Sequence, residues 1–171
     1  MIPRPAPEEH APYYGRYIER IPECDILEFL ETQNRDTLAL LAEFGDARGG
    51  FRYAPGKWSI NQVVGHVTDV ERVFAYRALV FSRADATPQA GMEQDDWAET
   101  ADHDKRTLSS IAAELATVRK ATVSLFRGFT DDMWTRVGVA NDCRFTARAM
   151  PFIIAGHELH HVGVLRERYR S

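Results

Sequence analysis

Cysteine is nearly absent from this chain. Cys24 and Cys143 are the only two, about 120 residues apart, and neither sits in a C-x-x-C or metal-finger spacing. A disulfide framework and a cysteine-based zinc site are excluded as organising features, and no structural disulfide is expected. Long apolar runs are absent too: nothing approaches the roughly 20 residues that span a bilayer, and the first dozen residues are proline-rich and charged, without an apolar signal core. No membrane association is expected, and the cytoplasm is the expected location. Basic blocks are also lacking. The formal net charge is -4 from acidic and basic residues mixed along the chain, so nucleic acid is not an expected partner. No repeat or low-complexity tract interrupts the sequence.

What remains is the composition of an ordinary globular domain, 44% hydrophobic and 27% charged over 171 residues. A single domain over 1–171 is expected, with an irregular arm over 1–22 and helices over 23–168. The arm carries five prolines and a tyrosine-rich stretch from Tyr13 to Ile18, which reads as non-helical and docked on the domain.

Helical periodicity begins after Pro22. Leu27, Leu30, Leu38, Leu41 and Phe44 share a face, and Gly45 ends the run. Ser59 with Gln62 three residues on has the form of a capping box, predicting a second helix from there to about Phe81 with Ile60, Val63, Val67, Val70 and Phe74 on its apolar face. Residues 82–106 hold Pro88, Gly91 and an acidic cluster around Trp97, and read as a long connection with one helical turn near Asp95–Trp97. A third helix uses Leu108, Ile111, Leu115, Val118, Leu125 and Phe126. Short alternation around Asn141-Asp142 suggests a small hairpin or an extended loop. A fourth helix runs from about Ala147 to Arg168. The sum is an all-α four-helix bundle with long connections.

The densest chemistry lies in Gly156-His157-Glu158-Leu159-His160-His161. His157 and His161 are four apart, so on a helix both imidazoles point the same way, and Met150, Ile153, Ile154 and Leu165 share that face. Two core histidines one turn apart each leave a ring nitrogen to be satisfied, at about 1–3 kcal/mol apiece. They are either bonded to nearby backbone and carboxylates or held by one metal ion. His66, two turns into the second helix, supplies a third imidazole. Three neutral imidazoles from two helices form the open ligand set of catalytic sites, with the fourth position left for water or substrate.

His157-Glu158-x-x-His161 also matches the zinc-protease string H-E-x-x-H. Only ten residues follow His161 and Val164 stands where a metzincin needs glycine. Glu158 falls about 100° around the helix from His157, off the metal's side, and a protease is not expected. His10, His103 and His160 are assigned solvated or structural roles. Glu71 and Arg119 fall on core-facing stripes of the second and third helices, and are expected to meet as a buried ion pair, since neither can be buried alone. Leu159 and Val162, off the histidine face, suggest apolar surface for a homodimer.

Gly56-Lys57-Trp58-Ser59-Ile60, Gly65-His66-Val67-Thr68-Asp69-Val70-Glu71 and Ala155-Gly156-His157-Glu158-Leu159-His160-His161-Val162-Gly163 resemble the DinB-like (YfiT-like) family of metal-dependent enzymes over about 25–168. The resemblance implies an up-down-down-up bundle and a divalent ion, zinc or nickel, on His66, His157 and His161. It also implies a small-molecule substrate and, as in some characterised relatives, a low-molecular-weight thiol cofactor such as bacillithiol or mycothiol. The expected activity is a thiol-dependent S-transferase or a metal-dependent hydrolase. The alternative is a metal-stabilised binding or stress-response protein without turnover. Asp69, one turn beyond His66, is the candidate catalytic residue, to orient that imidazole or relay a proton.

Overall fold

A computed structural model describes residues 1–170 of the chain. Four long helices make the body: α2 (Ile26–Phe44), α3 (Ile60–Ser82), α5 (Leu108–Arg127) and α7 (Ala149–Arg168). Their shorter companions are α1 (Gly15–Ile18), α4 (Gln94–Thr100) and α6 (Asp131–Thr135). Side chains start three of the long helices, each satisfying backbone N–H groups that the first turn leaves free. Asp25 accepts from Leu27 and Glu28 at the head of α2. Ser59 and Gln62 bond reciprocally at the head of α3, the capping box read from the sequence, and Thr107 accepts from Ser110 at the head of α5.

Cross-helix bonds give the directions of the four. At one end of α2, Asp46 meets Ser109 at the start of α5; near the other, Glu31 meets Arg127 at its finish, so α2 and α5 are antiparallel. Asn61, at the start of α3, donates to the Arg106 carbonyl just ahead of α5, and Arg72, further along α3, reaches Glu114, further along α5, which makes α3 and α5 parallel. Tyr169, just past α7, donates to the Trp58 carbonyl just ahead of α3, while His66, further into α3, faces His157, earlier in α7, so α3 and α7 are antiparallel. Thr37 with Glu158 and Glu43 with Arg170 make α2 and α7 parallel. The order is up, down, down, up. Parallel α3 and α5 demand a crossover, which residues 83–107 supply, α4 among them.

The apolar interior falls into two clusters. One gathers Leu30, Phe74, Phe81, Phe126, Phe145 and Met150. The other gathers Leu41, Ile60, Leu115, Val162 and Leu165. The hairpin appears as strands β1 (Val137–Ala140) and β2 (Cys143–Thr146), antiparallel, with Asn141 and Asp142 at φ 48 and 59 in the turn, where their short polar side chains tolerate the left-handed region. Cys24 and Cys143 are free thiols.

Two expectations are corrected. The arm is not devoid of helix: it holds single 3₁₀ turns at Pro7–Glu9 and Pro12–Tyr14 and one α turn, α1. Pro7 and Pro12 occupy first-turn positions, where a missing N–H costs nothing, and burial of Tyr17 and Ile18 stabilises the last turn. Val162, read as outward apolar surface, is buried in the chain's own core, and Leu159 packs against the other cluster.

Candidate metal centre

Antiparallel packing of α3 on α7 carries His66 to His157 and His161. The Nε2 atoms of His66 and His161 each lie 3.1 Å from His157 Nε2, and the three ligand atoms all fall within 4.8 Å of one another. Three atoms bonded at 2.0–2.1 Å to a tetrahedral centre would stand about 3.3 Å apart, so the set needs only small adjustments to hold an ion. Protons alone serve it poorly. His157 Nε2 carries either one N–H or one lone pair, yet two imidazole nitrogens converge on it.

Burial keeps all three rings neutral. It pushes His66 down from an ordinary 6.5 to about 4, against the opposing fields of Asp69 and Asp95. It pushes His161 down to about 3, with His66 and His160 adding to the effect, and His157 well below its usual value. Neutral imidazole is the form that binds metal.

Neighbouring rings hold these side chains in place. Trp58, at the foot of α3, packs on His66 with ring centroids 4.8 Å apart. Tyr17 of the arm meets His157 edge-on at 5.7 Å and His160 at 5.6 Å. Two glycines admit close neighbours beside the cluster, Tyr17 at one and His103 at the other. A Cβ at Gly156 would stand 2.2 Å from the Tyr17 carbonyl oxygen, and one at Gly65 would stand 2.2 Å from the His103 ring. Each of these glycines precedes a histidine of the cluster. One side of the cluster is open: His161 lines a cavity of about 310 Å³ with Trp58, Asp95, His160 and Tyr169.

Glu158 points elsewhere, as the helical wheel predicts, but it is not idle. It is fully buried (0% exposed), accepts from Thr37 Oγ1 at 2.6 Å, and shares Arg119 with Glu71. Arg119 donates through Nε and Nη2 to the two Glu71 oxygens, both at 2.8 Å, and through Nη1 to the Leu30 carbonyl at 2.7 Å. Desolvation acts to lower the Arg119 pKa, yet Glu158 and Glu71 raise it overall. The expected Glu71–Arg119 pair is present and is one limb of a three-residue network spanning α3, α5 and α7.

Asp69 bonds to Arg72 at 3.2 Å and stands 3.7 Å from His103 Nε2. Among the described residues no hydrogen bond joins it to His66, which it reaches through its field alone. His103 is buried against the α3 backbone, which accords with a structural role.

Sequence reasoning missed Asp95, Trp58 as a wall for His66, and Tyr17 as a wall for His157. Asp95 sat in an acidic cluster with nothing to mark it from its neighbours. Trp58 stands just ahead of the Ser59 cap, and its contact with His66 follows from the fold of the connection ahead of α3.

The model of the DinB superfamily matches residues 29–165, and the chain belongs to that superfamily. No curated protein matches the sequence. Among solved structures, YfiT from Bacillus subtilis, described as a probable metal-dependent hydrolase with an unusual four-helix bundle topology, is similar at a TM-score of 0.72 and 21% identity, covering 89% of this chain and 90% of that one. A mycothiol-dependent maleylpyruvate isomerase is similar at 0.69 and 12% identity over 85% of this chain and 61% of its own. A DinB-like protein, YjoA of Bacillus subtilis, is similar at 0.60 and 19% identity, over 85% and 90%. At these identities the likeness is one of fold.

Proposed function

We propose that this member of the DinB superfamily is a metal-dependent enzyme that holds one divalent ion, zinc or nickel, on His66, His157 and His161. It acts on a small molecule, as a transferase that uses a low-molecular-weight thiol such as bacillithiol or mycothiol, or as a hydrolase. The observation that carries this reading is the convergence of three neutral Nε2 atoms, from buried His66 and His157 and half-buried His161, beside a cavity that His161 lines. A divalent ion bound there keeps its full charge, because none of its ligands is anionic, and favours the ionised form of a thiol or a water beside it.

The chain's own residues do the rest. Trp58 and Tyr17 hold two of the rings against rotation and keep water from their outer faces. Asp69 and Asp95 both act to raise the proton affinity of His66, which strengthens its ring nitrogen as a donor to a cation. We assign Asp69 to positioning: it bridges Arg72 and His103 beside the turn that carries His66. YfiT's description as a metal-dependent hydrolase and the mycothiol dependence of the isomerase support the two branches of the reading.

The test is a conjugation screen of zinc- and nickel-loaded protein, with bacillithiol, mycothiol, glutathione and cysteine against a chromogenic electrophile, beside a panel of activated esters. Turnover in one panel that disappears in His161→Ala supports an enzyme of that class. Absence of turnover in both panels, with stoichiometric metal bound, would refute the proposal in favour of a metal-stabilised binding protein.

A further inference from the structure

Two arginines are buried among the described residues, Arg119 at 2% exposure and Arg77 at 4%. Their surroundings differ in kind. Arg119 lies between two carboxylates. Arg77, three turns beyond His66 on α3, has no carboxylate within 4.0 Å among the described residues. Its neighbours are the Ala90 carbonyl, which accepts from Nη2 at 2.7 Å, the Tyr14 hydroxyl, and the Phe74 ring at 5.1 Å. Burial accordingly pushes its pKa down, the reverse of Arg119. A guanidinium enclosed without an anion is disfavoured by desolvation, so its retention here calls for a counter-charge from outside the chain.

The place for one is at hand. Arg77 lines a cleft of about 450 Å³ between α3 and residues 89–97, within the size range of small-molecule sites. Two exposed aromatics, Tyr76 and Trp97, line it together with Met92. Arg72 and Asp69 line it too, but they pair with each other, and Arg72 pairs with Glu114 as well. Arg77 is therefore the cleft's one cation without an anionic partner among the described residues.

We propose that this cleft binds a small organic anion, a carboxylate carried on an apolar or aromatic body, with Arg77 taking the carboxylate and Tyr76 and Trp97 covering the body. The planar guanidinium fork suits a carboxylate, and the exposed rings suit an apolar skeleton. The site goes beyond the metal-dependent reading and does not rest on it, because binding here needs neither the ion nor turnover.

The test titrates 3-phenylpropionate, 3-phenylpropanamide and inorganic phosphate separately into the full-length, metal-loaded protein, read by calorimetry and by the Arg77 Nε–H resonance in NMR spectra. The acid should bind at least about tenfold more tightly than the amide, the increment of a charge-assisted bond to a buried arginine, and should move that resonance. Trp97→Ala should weaken acid and amide alike and leave their ratio intact. Arg77→Gln should bring the ratio to one. If that variant does not fold, Arg77→Lys, which keeps the charge and loses the fork, should lower the ratio severalfold. Equal binding of acid and amide by the unaltered protein, an unmoved Arg77 resonance at saturation, or a ratio surviving in Arg77→Gln would each overturn the proposal. Phosphate binding as tightly as the acid would overturn it as well, by showing a bare-anion site.

Discussion

Replacing Arg119 by methionine tests the buried network most directly. The substitution conserves much of the volume but removes the donors to Glu71 Oε1 and Oε2, to Glu158 and to the Leu30 carbonyl at once. Two carboxylates, each about 1% exposed, are left facing each other without a cation. Breaking a buried ion pair from one side costs about 3–5 kcal/mol, against a total of about 5–15 kcal/mol for a domain. At about 2–4 °C per kcal/mol for a chain of this size, the melting temperature should fall by about 6–20 °C. Urea titration followed by circular dichroism measures the loss. Adding Glu71→Leu and Glu158→Leu should recover part of the loss by removing the uncompensated charges. A deficit below about 1 kcal/mol at pH 8, or a triple variant less stable than the single one, would refute the account of the network.

Three further outcomes are expected. His66→Ala and His161→Ala should each lose at least about a hundredfold in zinc affinity, measured by competition with a chelating dye, whereas Asp69→Asn should stay nearer the tenfold loss of an outer-shell change. Metal-free protein should lose stability on acidification. The unfolded histidines take up protons near 6.5 while folded His66 and His161 resist until about 4 and about 3, so stability is fully present above about 6.5 and falls as pH drops through that window, read as urea midpoints at successive pH values. Gly156→Ala should cost about 1–3 kcal/mol by overpacking, because its Cβ meets the Tyr17 backbone, with the arm's protease sensitivity rising in step.

The four helices were legible in the sequence because their signals are local. Ser59 and Gln62 form the capping box read from their spacing, and Asn141-Asp142 turns the hairpin where short polar residues tolerate positive φ. The histidine cluster was legible because two of its members are one helical turn apart and the third sits on an apolar stripe. The rest depended on contacts between residues far apart in sequence. Arg77 falls on the same stripe as Val70 and Phe74, and nothing local says that no acid will meet it. Glu158 could be placed off the metal by its angle, but its burial follows from Thr37, 121 residues away. The one-turn helix in the arm rests on docking against α7, which local propensity does not encode.

That docking also explains why α7 carries no clean apolar stripe. Residues 149–158 are buried on every side, since α2 and α3 cover the faces toward the bundle and α1 covers the outer one. A helix enclosed all round gains little from amphipathic pattern, so apolar burial alone leaves its rotation poorly specified. Adjacent residues supply what the pattern does not. His157 is directed to His66, and Glu158, about 100° around the helix, is directed to Thr37 and Arg119. Turning α7 in either direction breaks one of these attachments before it improves the other. The ion network and the histidine cluster thus fix the same rotation from two sides. If so, Glu158→Gln, which keeps the shape and weakens the bond to Arg119, should lower zinc affinity by about tenfold, in the range of outer-shell changes, although Glu158 touches no ring nitrogen. Unchanged zinc affinity in a folded but destabilised Glu158→Gln protein would show that the histidine cluster holds its geometry without the network.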